Sequence, residues 1–275
     1  MESDRCASDA AEFITERRGM KRPIADVARG RRVFKVPVLM YHRIATDGPA
    51  ELAEYRVAPQ MLGHHLRFLR RRGFRSISIE EWQADANGSG SLFGRPIMLT
   101  FDDAYLDFYE TAWPILRESG FSAYVFVVTD KVGKTSDWDN KYGDPAPLMT
   151  WQQIKELASA GVRYGSHLST HTRANFLSSE ALLREAVHSR AALEEALGLD
   201  VHAAAIPYGV TDSRVEEILG IAGYTRAFAA GGGYAPAHGL ELSTPRIAIS
   251  GADDILAFAE KLGLWKERPE AADLP

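Results

Sequence analysis

Cysteine is almost absent from this sequence. Cys6 stands alone among 275 residues, so an intrachain disulfide framework is excluded and a buried core must carry the stability. Long apolar runs are missing as well: none approaches the roughly 18 residues of a membrane-spanning helix. The opening residues, Met1-Glu-Ser-Asp-Arg-Cys, contain no apolar leader core. A cytoplasmic setting is therefore the expectation, unless the native start lies upstream. Positive charge is not in excess, since the formal net charge is −5, and nucleic acid is not expected as a partner. The glycine run at Gly231 is no phosphate loop, because no Lys-Ser/Thr pair opens a helix after it.

What is present is ordinary for a globular protein, with 45% hydrophobic and 25% charged residues. Residues 1–34 stand apart as a basic lead-in or linker containing Arg17, Arg18, Lys21, Arg22, Arg29, Arg31 and Arg32. A run of one sign usually stays solvated; a contact with an anionic surface or a partner domain is the alternative.

From Val36 onward apolar strands alternate with amphipathic helices. Strands are expected at 36–41, 74–79, 96–101, 121–128, 161–166, 201–206, 224–229 and 244–249, and helices at 59–72, 107–118, 151–160, 179–197 and 253–262. A long polar loop covers 130–148, and loops of that length are often functional. Repeated β-then-α order implies a parallel sheet with helices outside. The fold class expected is α/β: a single (β/α) barrel over 35–265, distorted or incomplete, with about seven parallel strands, followed by a tail at 266–275. Such barrels carry their sites at the C-terminal ends of strands. His42, Asp102-Asp103, His167 and Pro207-Tyr208 all follow expected strands.

The most informative stretch is Pro96-Ile-Met-Leu-Thr-Phe-Asp-Asp103. A buried strand delivers two carboxylates side by side, and such neighbours resist joint ionisation unless a cation or a shared proton relieves them. His167-Leu-Ser-Thr-His171 supplies two imidazoles four residues apart, a spacing that on a helical turn aims both one way. With Asp103 as a third donor they make a nitrogen and oxygen set with positions left open.

These motifs resemble those of the polysaccharide deacetylases, carbohydrate esterase family 4. Thr100-Phe-Asp-Asp103 matches the first family motif, Gly165-Ser-His-Leu-Ser-Thr-His171 is similar to the second, and Ala205-Ile-Pro-Tyr-Gly209 to the third. Leu39-Met-Tyr-His42 resembles the histidine motif of the subgroup acting on β-1,6-linked poly-N-acetylglucosamine, whose barrel looks circularly permuted. The resemblance implies a divalent metal, zinc first among Co, Ni, Mn and Fe, held by Asp103, His167 and His171. It further implies Asp102 as general base, His42 as general acid with His238 in reserve, and the Tyr208 backbone N–H as an oxyanion donor. The implied substrate is an N-acetylated carbohydrate, and the basic lead-in could join a larger glycan-assembly partner.

Two positions depart from the family pattern. Leu168 stands where Ser or Thr is usual, which removes a hydroxyl near the metal ligands. Ala205 stands where an arginine usually holds the base, and Arg246 is the candidate to replace it from another strand. Tyr105, Trp138, Tyr142, Tyr208 and Tyr234 are candidates to stack on sugar, with Pro207 beside them. A non-catalytic carbohydrate-binding barrel and a non-haem iron oxygenase, whose two histidines and carboxylate would also suit Fe(II), are the competing readings.

Overall fold

Residues 36–90, 92–231 and 242–264 are described by a computed structural model. The basic lead-in, the C-terminal tail, Tyr234 and His238 lie outside the described residues.

Strand β1 (Val38–Tyr41) is followed by a small side pair, β2 (Arg43–Ile44) and β3 (Arg56–Val57). Helix α1 (Pro59–Arg71) starts on a proline, whose missing N–H costs nothing in a first turn. Its buried stripe of Leu62, Leu66 and Leu69 follows the helical period. Then come β4 (Phe74–Ser76), α2 (Ile79–Ala86), β5 (Arg95–Phe101), α3 (Trp113–Ser119) and β6 (Tyr124–Val127). The chain continues through α4 (Trp151–Ser159), β7 (Arg163–Ser166), α5 (Ser179–Leu197), β8 (Ala203–Ala205), α6 (Ser213–Ile221), β9 (Arg226–Ala230), β10 (Ser243–Ala248) and α7 (Ile255–Lys261).

Seven of these strands close into a parallel barrel in the order β1-β10-β9-β8-β7-β6-β5, and β1 completes the ring by pairing with both β10 and β5. The expected barrel of about seven parallel strands is thus the one observed. β4 is an extra strand on the N-terminal half of β5, where Phe74 to Ser76 pair with Arg95 to Ile97.

Alternation along each strand sorts the core into two compartments. Val38, Met98, Tyr124, Phe126, Ala203, Ala205 and Phe228 fill the barrel. Leu39, Tyr41, Leu99, Phe101, Val125, Val127, Ala204, Ala227 and Ile247 pack in the other cluster with helix residues. The interior is narrow, so large and small residues must alternate around it. A Cβ on Gly165 would lie 2.5 Å from the Phe126 ring and 2.8 Å from the Ala203 carbonyl oxygen. Glycine is required there by space.

Helix α2, which the hydrophobic pattern alone does not reveal, packs its fully buried Trp82 into the interior cluster. Its signature was a capping box: the Ser78 side chain accepts from Glu81 N while Glu81 accepts from Ser78 N. Helix α6 was similarly overlooked, although Asp212 caps it through Val215 N. The expected helix over 107–118 divides between Ala112 and Trp113, just before Pro114. A wide π turn spans Phe108–Ala112, with Trp113 N donating to Phe108 O, before α3 begins. Proline removes a backbone donor, which suits it to this first turn.

Candidate active site

Asp102 extends the ladder of β5. Its N–H donates to Tyr41 O at 3.0 Å, so its side chain keeps the parity of Thr100 and Met98 and enters the barrel mouth. There it meets Arg246 of β10, 144 residues away in sequence. The contact is bidentate, Nη1 to Oδ1 at 2.6 Å and Nη2 to Oδ2 at 2.7 Å. Thr100 Oγ1 and Ala229 O accept further guanidinium N–H groups. Both partners are buried, at 1% and 3% side-chain exposure. Burial alone would raise the Asp102 carboxyl; Arg246, followed by His167, outweighs it and leaves the carboxyl below its usual range.

The chain then turns sharply. Asp103 and Ala104 have φ of 72° and 58°. Together with Leu168, His171 and Tyr208 they are the five non-glycine residues with positive φ among the described residues, and all five lie in the strand-end loops of this site. Each such conformation costs on the order of 1–3 kcal/mol and persists only where its surroundings enforce it.

The turn brings Asp103 Oδ1 to 3.4 Å from His167 Nε2 and 3.2 Å from His171 Nε2. The three donor atoms lie within 4.8 Å of one another, and all three residues are buried. His167 Nδ1 faces Ala205 O at 2.9 Å, which assigns that nitrogen the proton and leaves Nε2 a lone pair. Burial pushes the His167 imidazole down to about 4, so it is neutral near pH 7. Among the described residues Asp103 Oδ1 has no hydrogen-bond partner although it is buried. An orphaned carboxylate oxygen facing an unprotonated imidazole nitrogen is unfavourable by itself and fits a cation. Two imidazoles and one carboxylate also match the donor chemistry of zinc.

The histidine pair reaches this arrangement by a route different from the one its spacing suggested. Residues 167–171 form a loop, not a helical turn, and left-handed Leu168 and His171 aim the two rings. Leu168 itself is 1% exposed and packs in the core between strands and helices. Its N–H is taken by Ser166 Oγ at 2.9 Å.

The 130–148 loop folds over the mouth. It carries short 3-10 turns and antiparallel bridges Thr135–Pro147 and Tyr105–Leu148, and it stacks Trp138 on His171 at 4.2 Å and 23°. Tyr208, which is 42% exposed, approaches His171 from another loop with ring centroids 4.8 Å apart, and Pro207 is buried beneath. Tyr142 is exposed on the same loop as Trp138. Tyr105 does not meet the expectation of a sugar-stacking face: it is 6% exposed, because the bridge to Leu148 covers it and Arg43 lies 5.7 Å from its ring.

His42 sits partly exposed after β1, edge-on to Tyr55 at 5.1 Å. The next two residues are tied to Asp107, which accepts from Arg43 Nε at 2.8 Å and Ile44 N at 3.0 Å. His42 is near enough to influence the Asp102, Asp103 and Asp139 carboxyls. Sequence reasoning missed Tyr55, Asp107 and the Arg173 guanidinium, which covers Tyr208 at 4.0 Å. No local pattern marks them, since each matters only through a neighbour distant in sequence.

The model of the family described as "Polysaccharide deacetylase" matches residues 90–227. The chain belongs to the polysaccharide deacetylase family. Within it, the likeness extends to the poly-β-1,6-N-acetylglucosamine deacetylase subgroup. The Escherichia coli (strain K12) poly-beta-1,6-N-acetyl-D-glucosamine N-deacetylase is 25% identical over 262 residues, covering 84% of this chain and 39% of that protein. The chain spans at most half the length of the curated relatives it matches, 50% of a Bacillus subtilis protein being the larger share. Among solved structures, Streptococcus pyogenes deacetylase PplD in complex with acetate is 27% identical with a TM-score of 0.71, covering 83% of this chain and 98% of that one. IcaB from Ammonifex degensii, at 23% identity and TM-score 0.71, covers 86% and 98% and shares the fold.

Proposed function

We propose that this polysaccharide deacetylase is a metal-dependent N-deacetylase of an amino-sugar unit in an oligo- or polysaccharide, with β-1,6-linked N-acetylglucosamine chains the first substrates to test. One observation carries the reading: an arginine-held Asp102 beside a convergent Asp103, His167 and His171 trio at a barrel mouth. Asp103, His167 and His171 would hold the ion, zinc by donor chemistry. A divalent cation bound there supplies Lewis acidity to the reacting oxygens, lowering the pKa of water towards about 7.

The remaining work falls to the chain. Asp102 takes a proton from the attacking water, and Arg246 keeps that carboxylate ionised and oriented beforehand. As the water oxygen bonds to the acetamide carbon, charge grows on the carbonyl oxygen, and the Tyr208 N–H is the proposed donor to it. His42 gives a proton to the amine nitrogen as the C–N bond breaks, releasing acetate and a free amine. Trp138 and Tyr208 flank His171 and offer faces to a sugar ring.

Acetate release from N-acetylglucosamine oligomers of several linkages, after chelation and zinc add-back, tests the reading. Asp102→Asn is expected to lose at least about a hundredfold in rate, the low end for general base removal, while still binding zinc. Full activity in that variant refutes Asp102 as base. Zinc binding without acetate release from any oligomer favours the non-catalytic carbohydrate-binding barrel. An iron-dependent oxygenase would instead consume oxygen with a co-substrate.

A further inference from the structure

The backbone N–H groups of the histidine loop can be followed one at a time. His167 N donates to Val127 O at 2.8 Å, which continues the sheet. Leu168 N donates to Ser166 Oγ. The next two, Ser169 N and Thr170 N, both donate to one atom, Oε2 of Glu185, at 2.9 Å each. Thr170 Oγ1 donates to the other carboxylate oxygen at 2.8 Å, and Ser169 Oγ to the Glu185 carbonyl at 3.1 Å. Successive N–H groups converging on one anion form a strong, oriented nest. The residues so held are the interior of the span between His167 and His171, whose ends adopt strained left-handed conformations at Leu168 and His171.

We propose that Glu185, on α5, is a positioning residue for the metal-ligand loop. It would fix the distance and aim of the two imidazoles without touching the ion or the substrate, and this inference rests on the metal reading above. It also accounts for Leu168. Where the family pattern often has a hydroxyl after the first histidine, this chain has an apolar side chain turned into the core. A carboxylate from a neighbouring helix restrains the loop from its backbone side. Outer contacts of this kind typically govern ligand orientation and affinity.

The test is zinc affinity of the purified chain, measured by competition with a chromophoric chelator, with the cobalt(II) visible spectrum as second readout. Wild type, Glu185→Ala, Glu185→Asp, Glu185→Gln and Asp103→Ala are compared. Wild type is expected to bind one zinc and Asp103→Ala to lose it. Glu185→Ala should bind roughly 10–100-fold more weakly, as loss of outer-shell partners does, with a changed cobalt band. Glu185→Asp keeps the charge but shortens the reach and should weaken binding in the same direction. Glu185→Gln retains an acceptor oxygen for both N–H groups and should remain within about threefold of wild type, below that range. If Glu185→Ala does not fold, the aspartate and glutamine variants decide the matter. Wild-type affinity in Glu185→Ala or Glu185→Asp, whatever happens to the melting temperature, overturns the proposal and leaves the metal site standing. A glutamine variant as weak as alanine shows that charge, not loop position, matters, and overturns it too. No zinc binding by wild type removes the metal reading and this proposal together.

Discussion

Asp102 and Asp103 are neighbours with different surroundings, and the difference is one of backbone geometry. Asp102, just past β5, keeps the line of the strand and points at a fixed cation, Arg246; Asp103 leaves that line at φ 72° and points at two imidazoles. Arg246 relieves the like-charge conflict at Asp102, and a cation between Asp103 and the two imidazoles would relieve it at Asp103. Removing one member of a buried, hydrogen-bonded pair leaves an uncompensated charge. Arg246→Met should therefore lower stability by about 3–5 kcal/mol in urea unfolding, and the double variant with Asp102→Asn should recover a good part of that loss. A single-variant cost below about 1 kcal/mol, the level of an exposed pair, would mean that Arg246 does not hold Asp102. The arginine was legible as a candidate, because the third motif lacks its own. Its bidentate geometry was not, because only strand parity in the closed barrel decides which side chain of β10 faces Asp102.

Elements were legible in proportion to their hydrophobic period. Helices α1, α4, α5 and α7 emerged from apolar spacing, whereas α2 and α6 were announced only by their caps. Helix α1 also carries a buried titratable group. His65 is stacked on Phe258 of α7 at 4.0 Å, and its Nδ1 lies 3.2 Å from the Tyr41 hydroxyl. Burial, reinforced by nearby His64, lowers its imidazole from 6.5 to about 3. Between those values the unfolded chain binds a proton that the folded chain refuses, so stability rises with pH. The contribution is complete above about 6.5 and is lost as pH falls towards about 3. The slope from one such group reaches about 1.4 kcal/mol per pH unit. Denaturant unfolding at pH 5 and pH 7.5 should show a smaller acid loss in His65→Phe, which keeps the aromatic stack. An unchanged pH slope would place the acid sensitivity elsewhere.

At the scale of the whole molecule, ring closure makes the site. β1 enters between β10 and β5, and that single insertion sets His42 at the same rim as Asp102, His167 and Tyr208. A bound ion should then tie two strand-end loops together, those after β5 and β7, and stabilise the barrel. Zinc at a hundredfold excess over its dissociation constant adds about 2.7 kcal/mol, a rise of roughly 5–10 °C for a chain of this size. Scanning calorimetry with and without zinc checks this, and His167→Ala/His171→Ala should show no rise. The amino-acid sequence by itself determined the chemistry available. It specified which strands end in carboxylates or imidazoles, because periodicity and motif spacing are local properties. Tertiary structure decided which of those groups meet. Strand parity, the left-handed turns at Asp103 and His171, and the capture of Ser169 and Thr170 by Glu185 all depend on contacts between segments far apart in the chain. No local propensity encodes a partner that arrives from another element.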